Sequence, residues 1–302
     1  MRSELLQDTA LRYFAEVARS GSLTEASERL HVASSALSRQ IAGLEQRMGC
    51  ALFERHPRGM VLTAAGEVLA RHARHAALDA ERALEDIAAL QGLRSGRVRI
   101  ATSDAFASEF LPRLCAQFQG SHQGIRFDIQ VWPTPQVPER LRLGEADIGL
   151  CFSRAPAPGV AVVCRLPAPV VALVPPGHAL ATQRNTTLAE LSRHPLGLPP
   201  ADTAVRQILD MACSRQGLLL EPVIESNHAQ TLLRFVAEGG GLAVGSEIAA
   251  RHLQATGALH VLPLRDRGME LRDIEVQTLA GRHLPHAAQS FLALLQQRLP
   301  AQ

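Results

Sequence analysis

Residues 22 to 63 leave the chain little conformational choice, because helix starts and stops follow one another there at the spacing of a winged helix-turn-helix. Ser22-Leu23-Thr24-Glu25 has the form of a capping box: the serine hydroxyl takes the amide of residue 25 and Glu25 reaches back, starting a helix through Leu30. His31-Val32-Ala33 make a short turn, and the hydroxyls of Ser34-Ser35 are expected to cap a second helix running to Met48. Leu37, Ile41, Leu44 and Met48 recur on one face of that helix. About half a turn round lie Ser35, Arg39, Ala42 and Gln46, with Ser38 on the flank. A slim, hydroxyl-bearing edge with one arginine suits the major groove of double-stranded DNA, where bulk would block entry and arginine pairs with guanine. Ser34, Ser35, Ser38 and Arg39 are therefore candidate groove residues.

The flanks agree. A first helix is expected after Asp8, with Leu11, Phe14 and Val17 inward and an end near Gly21. Leu52 to Leu62 reads as two short strands around His56-Pro57-Arg58-Gly59, whose proline and glycine favour a type I turn. Arg55 and Arg58 on such a wing reach phosphates or the minor groove.

The run Leu30-His31-Val32-Ala33-Ser34-Ser35-Ala36-Leu37-Ser38-Arg39-Gln40-Ile41, then Leu44-Glu45 and Gly49, resembles the DNA-binding domain of LysR-type transcriptional regulators. So do Leu52-Phe53-Glu54-Arg55-His56-Pro57-Arg58-Gly59 and Leu62-Thr63-Ala64-Ala65-Gly66. Ser34-Ser35 stand where the family often has Gln-Pro. The resemblance is strong to about residue 95 and architectural beyond.

Thr63 is expected to cap a long helix from Ala64 to about Gln91. Leu69, Ala73, Ala76, Ala80, Ala83, Ile87 and Leu90 alternate steps of four and three along it, the spacing of a coiled-coil seam. A homodimer through this seam would set two recognition helices roughly 34 Å apart, matching a palindromic promoter site. The alternative is an amphipathic helix packed on its own chain. His72 and His75, three apart on it, read as a solvated face rather than a metal site.

Composition places the charge locally. Net charge is only +2, and all 31 basic residues are arginine, yet from Arg29 to Arg58 five arginines face two carboxylates. No run of 18 apolar residues and no signal-peptide pattern is present, so a cytoplasmic bacterial protein without membrane contact is expected. The five cysteines are scattered and read as buried thiols.

After a hinge at 93–96 the pattern turns to alternating strands and helices. Strands are expected at Arg97–Ala101, Arg126–Val131, Ile148–Phe152, Val170–Val174, Pro222–Glu225, Leu242–Val244, His260–Leu262 and Ile274–Thr278. Helices are expected at Ser108–Gln119, Pro135–Leu143, Ala204–Gln216, Ala229–Glu238 and Pro285–Leu299. This predicts two open α/β sheets. The expected organisation is thus an N-terminal all-α winged helix-turn-helix (1–63), a linker and dimerisation helix (64–92) and an α/β effector-binding domain (97–302). Resemblance to the family implies that the last is periplasmic-binding-protein-like, with lobe I at 97–164 and 270–302 and lobe II at 167–264. It also implies pairing of dimers into tetramers.

Ligands of open α/β sheets sit beyond the carboxyl ends of strands. Three polar turns fit: Thr102-Ser103, Asp202-Thr203 and Ser226-Asn227-His228, with Thr134 near Trp132 as a further cleft wall. Thr102, Ser103, Thr134, Asp202, Thr203, Asn227 and His228 are the candidate effector residues; as plain helix caps they would need no ligand. Gly239-Gly240-Gly241 follow a helix and read as a helix end rather than a phosphate loop. No nucleophile elbow, His-Glu-x-x-His or paired-cysteine site is found, so no catalytic residue, metal or cofactor is expected. Two other readings stand beside the effector-controlled regulator: a thiol sensor using Cys151, Cys164 and Cys213, and a solute-binding α/β protein without specific DNA binding.

Overall fold

The computed structural model describes residues 6, 8–57, 59–90 and 95–299, the side chains of 88–90 excepted. The chain forms two compact units, Met1–Gly96 with Arg282–His286, and Arg97–Gly281 with Ala287–Gln302. Arg58, residues 93 and 94 of the expected hinge and the side chain of Leu90 lie outside the described residues.

In the first unit, α1 (Thr9–Ser20) starts on Asp8, whose carboxylate accepts the amides of Ala10 and Leu11. It ends on Gly21, left-handed at φ 67°, a conformation that costs glycine little. The helix α2 (Leu23–Leu30) is capped by Ser22, but only half of the expected box forms. The Glu25 amide donates to Ser22 Oγ at 3.3 Å, whereas the Glu25 carboxylate takes Arg29 and the Ser22 amide turns to Ser20 Oγ. Helix α3 (Ser34–Met48) also departs from expectation. Its cap is Ala33, without a side-chain bond, and Ser34 and Ser35 are its first residues. Both hydroxyls thus stay in solvent. Leu37, Ile41 and Leu44 are buried, but Met48, in the last turn, is 47% exposed.

Strands β1 (Phe53–His56) and β2 (Gly59–Leu62) form the antiparallel wing, in register Phe53↔Leu62 and His56↔Gly59. The wing leans on the end of α1: the Met60 amide donates to the Gly21 carbonyl at 2.7 Å. A Cβ at Gly59 would lie 2.4 Å from that oxygen, so the contact requires glycine. Helix α4 (Ala64–Leu90) starts on Thr63, whose Oγ accepts the Gly66 amide at 3.0 Å. Phe14, Val17, Leu37, Ile41, Leu52 and Phe53 make the core, each worth about 1.5–3 kcal/mol on burial. Leu69 and Ala73 of α4 belong to this core. The expected dimer seam is corrected there: its first two positions are used inside the chain's own domain.

The second unit runs β3 (Gly96–Thr102), α5 (Asp104–Ala107), α6 (Phe110–Gln119), β4 (Ile125–Val131), α7 (Val137–Arg142), β5 (Ile148–Ser153) and β6 (Val160–Pro167). The chain then crosses to β7 (Val171–Val174), α8 (Leu188–Leu191), β8 (Leu196–Leu198), α9 (Ala204–Gln216), β9 (Ile224–Glu225), α10 (Ala229–Ala237), β10 (Leu242–Gly245), α11 (Glu247–Ala255) and β11 (His260–Pro263). It returns for β12 (Asp273–Leu279) and α12 (His286–Arg298). Two five-stranded sheets result, ordered β4-β3-β5-β12-β6 and β11-β7-β10-β8-β9. We call their lobes I and II. In lobe I, β3 and β5 are parallel and β12 runs antiparallel to β5 and β6. The expected boundary at 164 falls short, because β6 continues until Pro167 faces Asp273. Sequence reading also passed over β6, β8, α8 and α11. The lobe II core closes around Val170, Ala172, Leu196, Leu198, Ile208, Leu209 and Val244.

Candidate nucleic-acid interface and effector cleft

The buried stripe of α3 fixes what its other side can show. With Leu37, Ile41 and Leu44 inward, Ser34, Ser35, Arg39, Ala42 and Gln46 are exposed and Ser38 is half-buried on the flank. Arg39 has no ion-pair or hydrogen-bond partner among the described residues, nor has Arg55 on the wing. An unengaged guanidinium keeps all its donors available, and five of them form a fork matched to a guanine edge or a phosphate.

In the second unit, the expected polar turns lie at the carboxyl ends of parallel strands, but they are not equivalent. Thr102 is fully buried, and its hydroxyl donates to the Leu150 carbonyl at 2.9 Å, tying β3 to β5. Ser103, at the start of α5, is 7% exposed and its Oγ has no partner. Thr134 is half-buried at the start of a 3-10 turn, beyond Trp132, whose amide donates to the Thr102 carbonyl. Arg140 lies 4.2 Å over the Trp132 ring. In lobe II, Asp202 is exposed, while Thr203 caps α9, accepting the Arg206 amide and donating to the Pro200 carbonyl at 2.7 Å. Asn227 and His228 are exposed at the start of α10.

Asp104 brings the two lobes together. Its carboxylate accepts the Ala229 amide, the first of α10, and lies 3.3 Å from the His228 ring nitrogen. Arg154, after β5, reaches Gln207 of α9 at 3.4 Å. The turn at Ser103 thus meets the start of α10, and the end of β5 meets α9, at two polar contacts between the lobes. Neither Asp104 nor Arg154 is marked by its sequence surroundings, since their partners lie 125 and 53 residues away.

Two family patterns match: "Bacterial regulatory helix-turn-helix protein, lysR family" over residues 9–67 and "LysR substrate binding domain" over residues 91–300. The chain belongs to the LysR family of bacterial transcriptional regulators. Its relatives include the SDS degradation transcriptional activation protein of Pseudomonas sp. (strain ATCC 19151), 30% identical over 94% of each chain. The RuBisCO operon transcriptional regulator of Allochromatium vinosum is 30% identical over 78% of each. The fold is that of a full-length OxyR variant from Pseudomonas aeruginosa, with TM-score 0.65, 21% identity and coverage of 96% of this chain and 93% of that one. Full-length CbnR in complex with its target DNA aligns with TM-score 0.54 and 20% identity, covering 95% and 98%. A winged helix-turn-helix joined to an α/β effector-binding domain is therefore the architecture of this LysR-family regulator.

In this LysR-family chain three of the five thiols are poorly placed for sensing, while Cys50 is exposed and Cys164 half-buried. Burial pushes the Cys151 thiol up to about 12, with the Glu275 charge adding to it. Burial likewise holds Cys115 and Cys213 at about 11, and for Cys213 the Asp210 and Asp266 charges contribute. Thiols in that range carry almost no thiolate near neutral pH. Among the described residues no cluster of histidine, cysteine and carboxylate groups is arranged to hold a metal, and no helix is long and apolar enough to cross a membrane.

Proposed function

We propose that this regulator inserts α3 into the DNA major groove, with Arg39 reading a base edge and Ser34, Ser35 and Ser38 bonding bases or phosphates. Arg55 and Arg58 on the wing neutralise backbone phosphates. The free, solvent-facing edge of α3 opposite its buried stripe carries this reading. Support comes from a structural neighbour, CbnR, whose full-length form is seen in complex with its target DNA. Two copies joined through the later part of α4 bind a palindromic promoter site in the cytoplasm, and such dimers pair into tetramers. A small effector held between the lobes, near Ser103, Thr134, Asp202, Thr203, Asn227 and His228, biases one arrangement of the assembly over another. It does so only if it binds one arrangement better.

The test begins with genome-wide recovery of bound DNA fragments, which supplies the operator. Arg39→Ala should then cost about 1–3 kcal/mol of specific binding and relax preference at one position. Arg55→Ala should weaken binding to all sequences alike and lower the salt slope by about one. Failure of the wild-type chain to bind any fragment above its non-specific level would overturn the reading.

A further inference from the structure

The wing is tied to the rest of its domain at both strands, and one tie is a side chain of α3 itself. Glu45 lies one turn before the end of that helix and is half-buried. Its Oε1 accepts the Leu52 amide at 2.8 Å and the Phe53 amide at 3.3 Å. These two residues form the root of β1, and both are buried. The end of β2 takes the carbonyls of the same segment: the Thr63 amide donates to Leu52 at 3.0 Å and Thr63 Oγ to Ala51 at 2.8 Å. On β2, the Met60 amide is held by the Gly21 carbonyl at the end of α1. Among the described residues no other side chain of α3 hydrogen-bonds to the wing.

On charge alone a carboxylate is out of place there. Glu45 and Glu54 are the two acidic residues between Arg29 and Arg58, the stretch that meets DNA in the proposed docking. A negative charge in that stretch repels phosphates within a Debye length, roughly 8 Å at physiological salt. What the carboxylate does instead is local. Main-chain amides at a buried strand root need acceptors, and a carboxylate bonds them more strongly than a neutral group does. The Phe53 ring, 5.1 Å from that of Phe14, keeps the wing against the domain core. Two directed bonds from one oxygen add what apolar contact lacks, a preferred angle between β1 and α3.

We propose that Glu45 is a positioning residue for DNA recognition. By holding the root of β1 it sets the wing at the angle to α3 at which Arg55 meets a backbone phosphate while Arg39 lies against a base edge. The proposal rests on the docking reading of α3 and the wing, and adds the side chain that lets both contacts form together. Glu45 acts through the wing and touches no DNA itself. A wing free to swing could form the same phosphate contact only by losing that freedom on the DNA, a cost that preorganisation avoids. Loss of Glu45 therefore removes the wing's share of binding and spares the reading by α3.

The experiment uses the full-length protein on its recovered operator, with affinity measured between about 50 and 200 mM salt. Glu45→Ala should lower the salt slope by about one, matching Arg55→Ala. Across that range its affinity should then fall about three- to fourfold less than that of wild type. Preference at the base position read by Arg39 should stay as in wild type. Combining Glu45→Ala with Arg55→Ala should cost less than about twofold beyond either change alone, because both remove the same contact. Glu45→Gln, which keeps an acceptor, should recover most of the slope. Glu45→Asp, which keeps the charge but is one methylene short, should behave as Glu45→Ala. The melting temperature of each variant is measured alongside, and if Glu45→Ala does not stay folded, Glu45→Asp takes its place in every comparison. A folded variant with the wild-type slope, or a double variant whose losses multiply, would overturn the proposal and leave the docking reading standing. Arg55→Ala with the wild-type slope would show that the wing makes no phosphate contact, and the wing reading and the proposal would fall together.

Discussion

Whether a cysteine side chain can act as a sensor is decided by its surroundings rather than by its presence. Cys115, Cys151 and Cys213 are buried, with thiols at about 11, 12 and 11, while Cys50 is exposed and Cys164 half-buried. Iodoacetamide at pH 8 should therefore label Cys50 first, and mass spectrometry should find Cys115, Cys151 and Cys213 unlabelled until guanidinium unfolds the protein. Peroxide should leave DNA affinity the same in wild type and in a Cys151, Cys164 and Cys213 triple serine variant. Labelling of Cys151 or Cys213 at the rate of Cys50 would restore the thiol-sensor reading. Burial of this kind was legible as a tendency, because scattered cysteines in a chain with a sizeable core usually pack as apolar groups. The opposite holds for Arg272, whose guanidinium is buried against the Ala168 and Gly245 carbonyls. It sits in a run with Arg265, Asp266, Arg267, Glu270 and Asp273, which reads as a solvated loop. Only the meeting of two crossover segments buries its guanidinium, and no local pattern announces that.

Elements that carry their own punctuation could be read before any coordinates. Helix α9 runs Ala204–Gln216 as expected, because Thr203 and Gly217 mark both its ends. Strand β8, only Leu196–Leu198 between Pro195 and Pro199, is too short for a period to show. Strand β6 is an edge strand between proline-rich segments, and its Val160-Ala161-Val162-Val163 run does not alternate. For α4 the spacing was read correctly as a helix face, but spacing does not say what covers the face. Leu69 and Ala73 are covered by their own domain. In the proposed dimer the partner contact would fall to the later part, where Ala80 is buried but Ala76 and Ala83 are half-buried and Ile87 is 50% exposed. Ile87→Asp should leave the circular dichroism spectrum unchanged and raise the dimer dissociation constant about tenfold or more, since a carboxylate would be buried in the seam. Sedimentation velocity measures this, and a variant that sediments as wild type would place the interface on another element.

At the scale of the whole effector unit, two sheets from interleaved stretches of chain must behave as one responsive body, and outside the crossovers α5 packs on α10 and α11 while polar groups add to the join. Asp104 is one: a lobe I carboxylate capping a lobe II helix whose own N-cap, His228, provides no side-chain bond. A helix start left without an acceptor loses about 1 kcal/mol, roughly fivefold in a local opening equilibrium. Asp104→Ala should accordingly speed hydrogen exchange in the first turn of α10, with mass spectrometry following a peptide that begins near Ser226. Asp104→Asn, which keeps an acceptor, should fall between. Thr203→Ala supplies the contrast, because Thr203 caps α9 from within lobe II. It should speed the first turn of α9 and leave α10 unchanged. If α10 is equally protected in Asp104→Ala and wild type, the bridge is not populated in solution and the lobes are held by their crossovers and their other contacts. If protection falls as expected, any effector entering beside Ser103 meets a lobe contact already made, and its binding energy must act against or through that contact to move the DNA-binding domains.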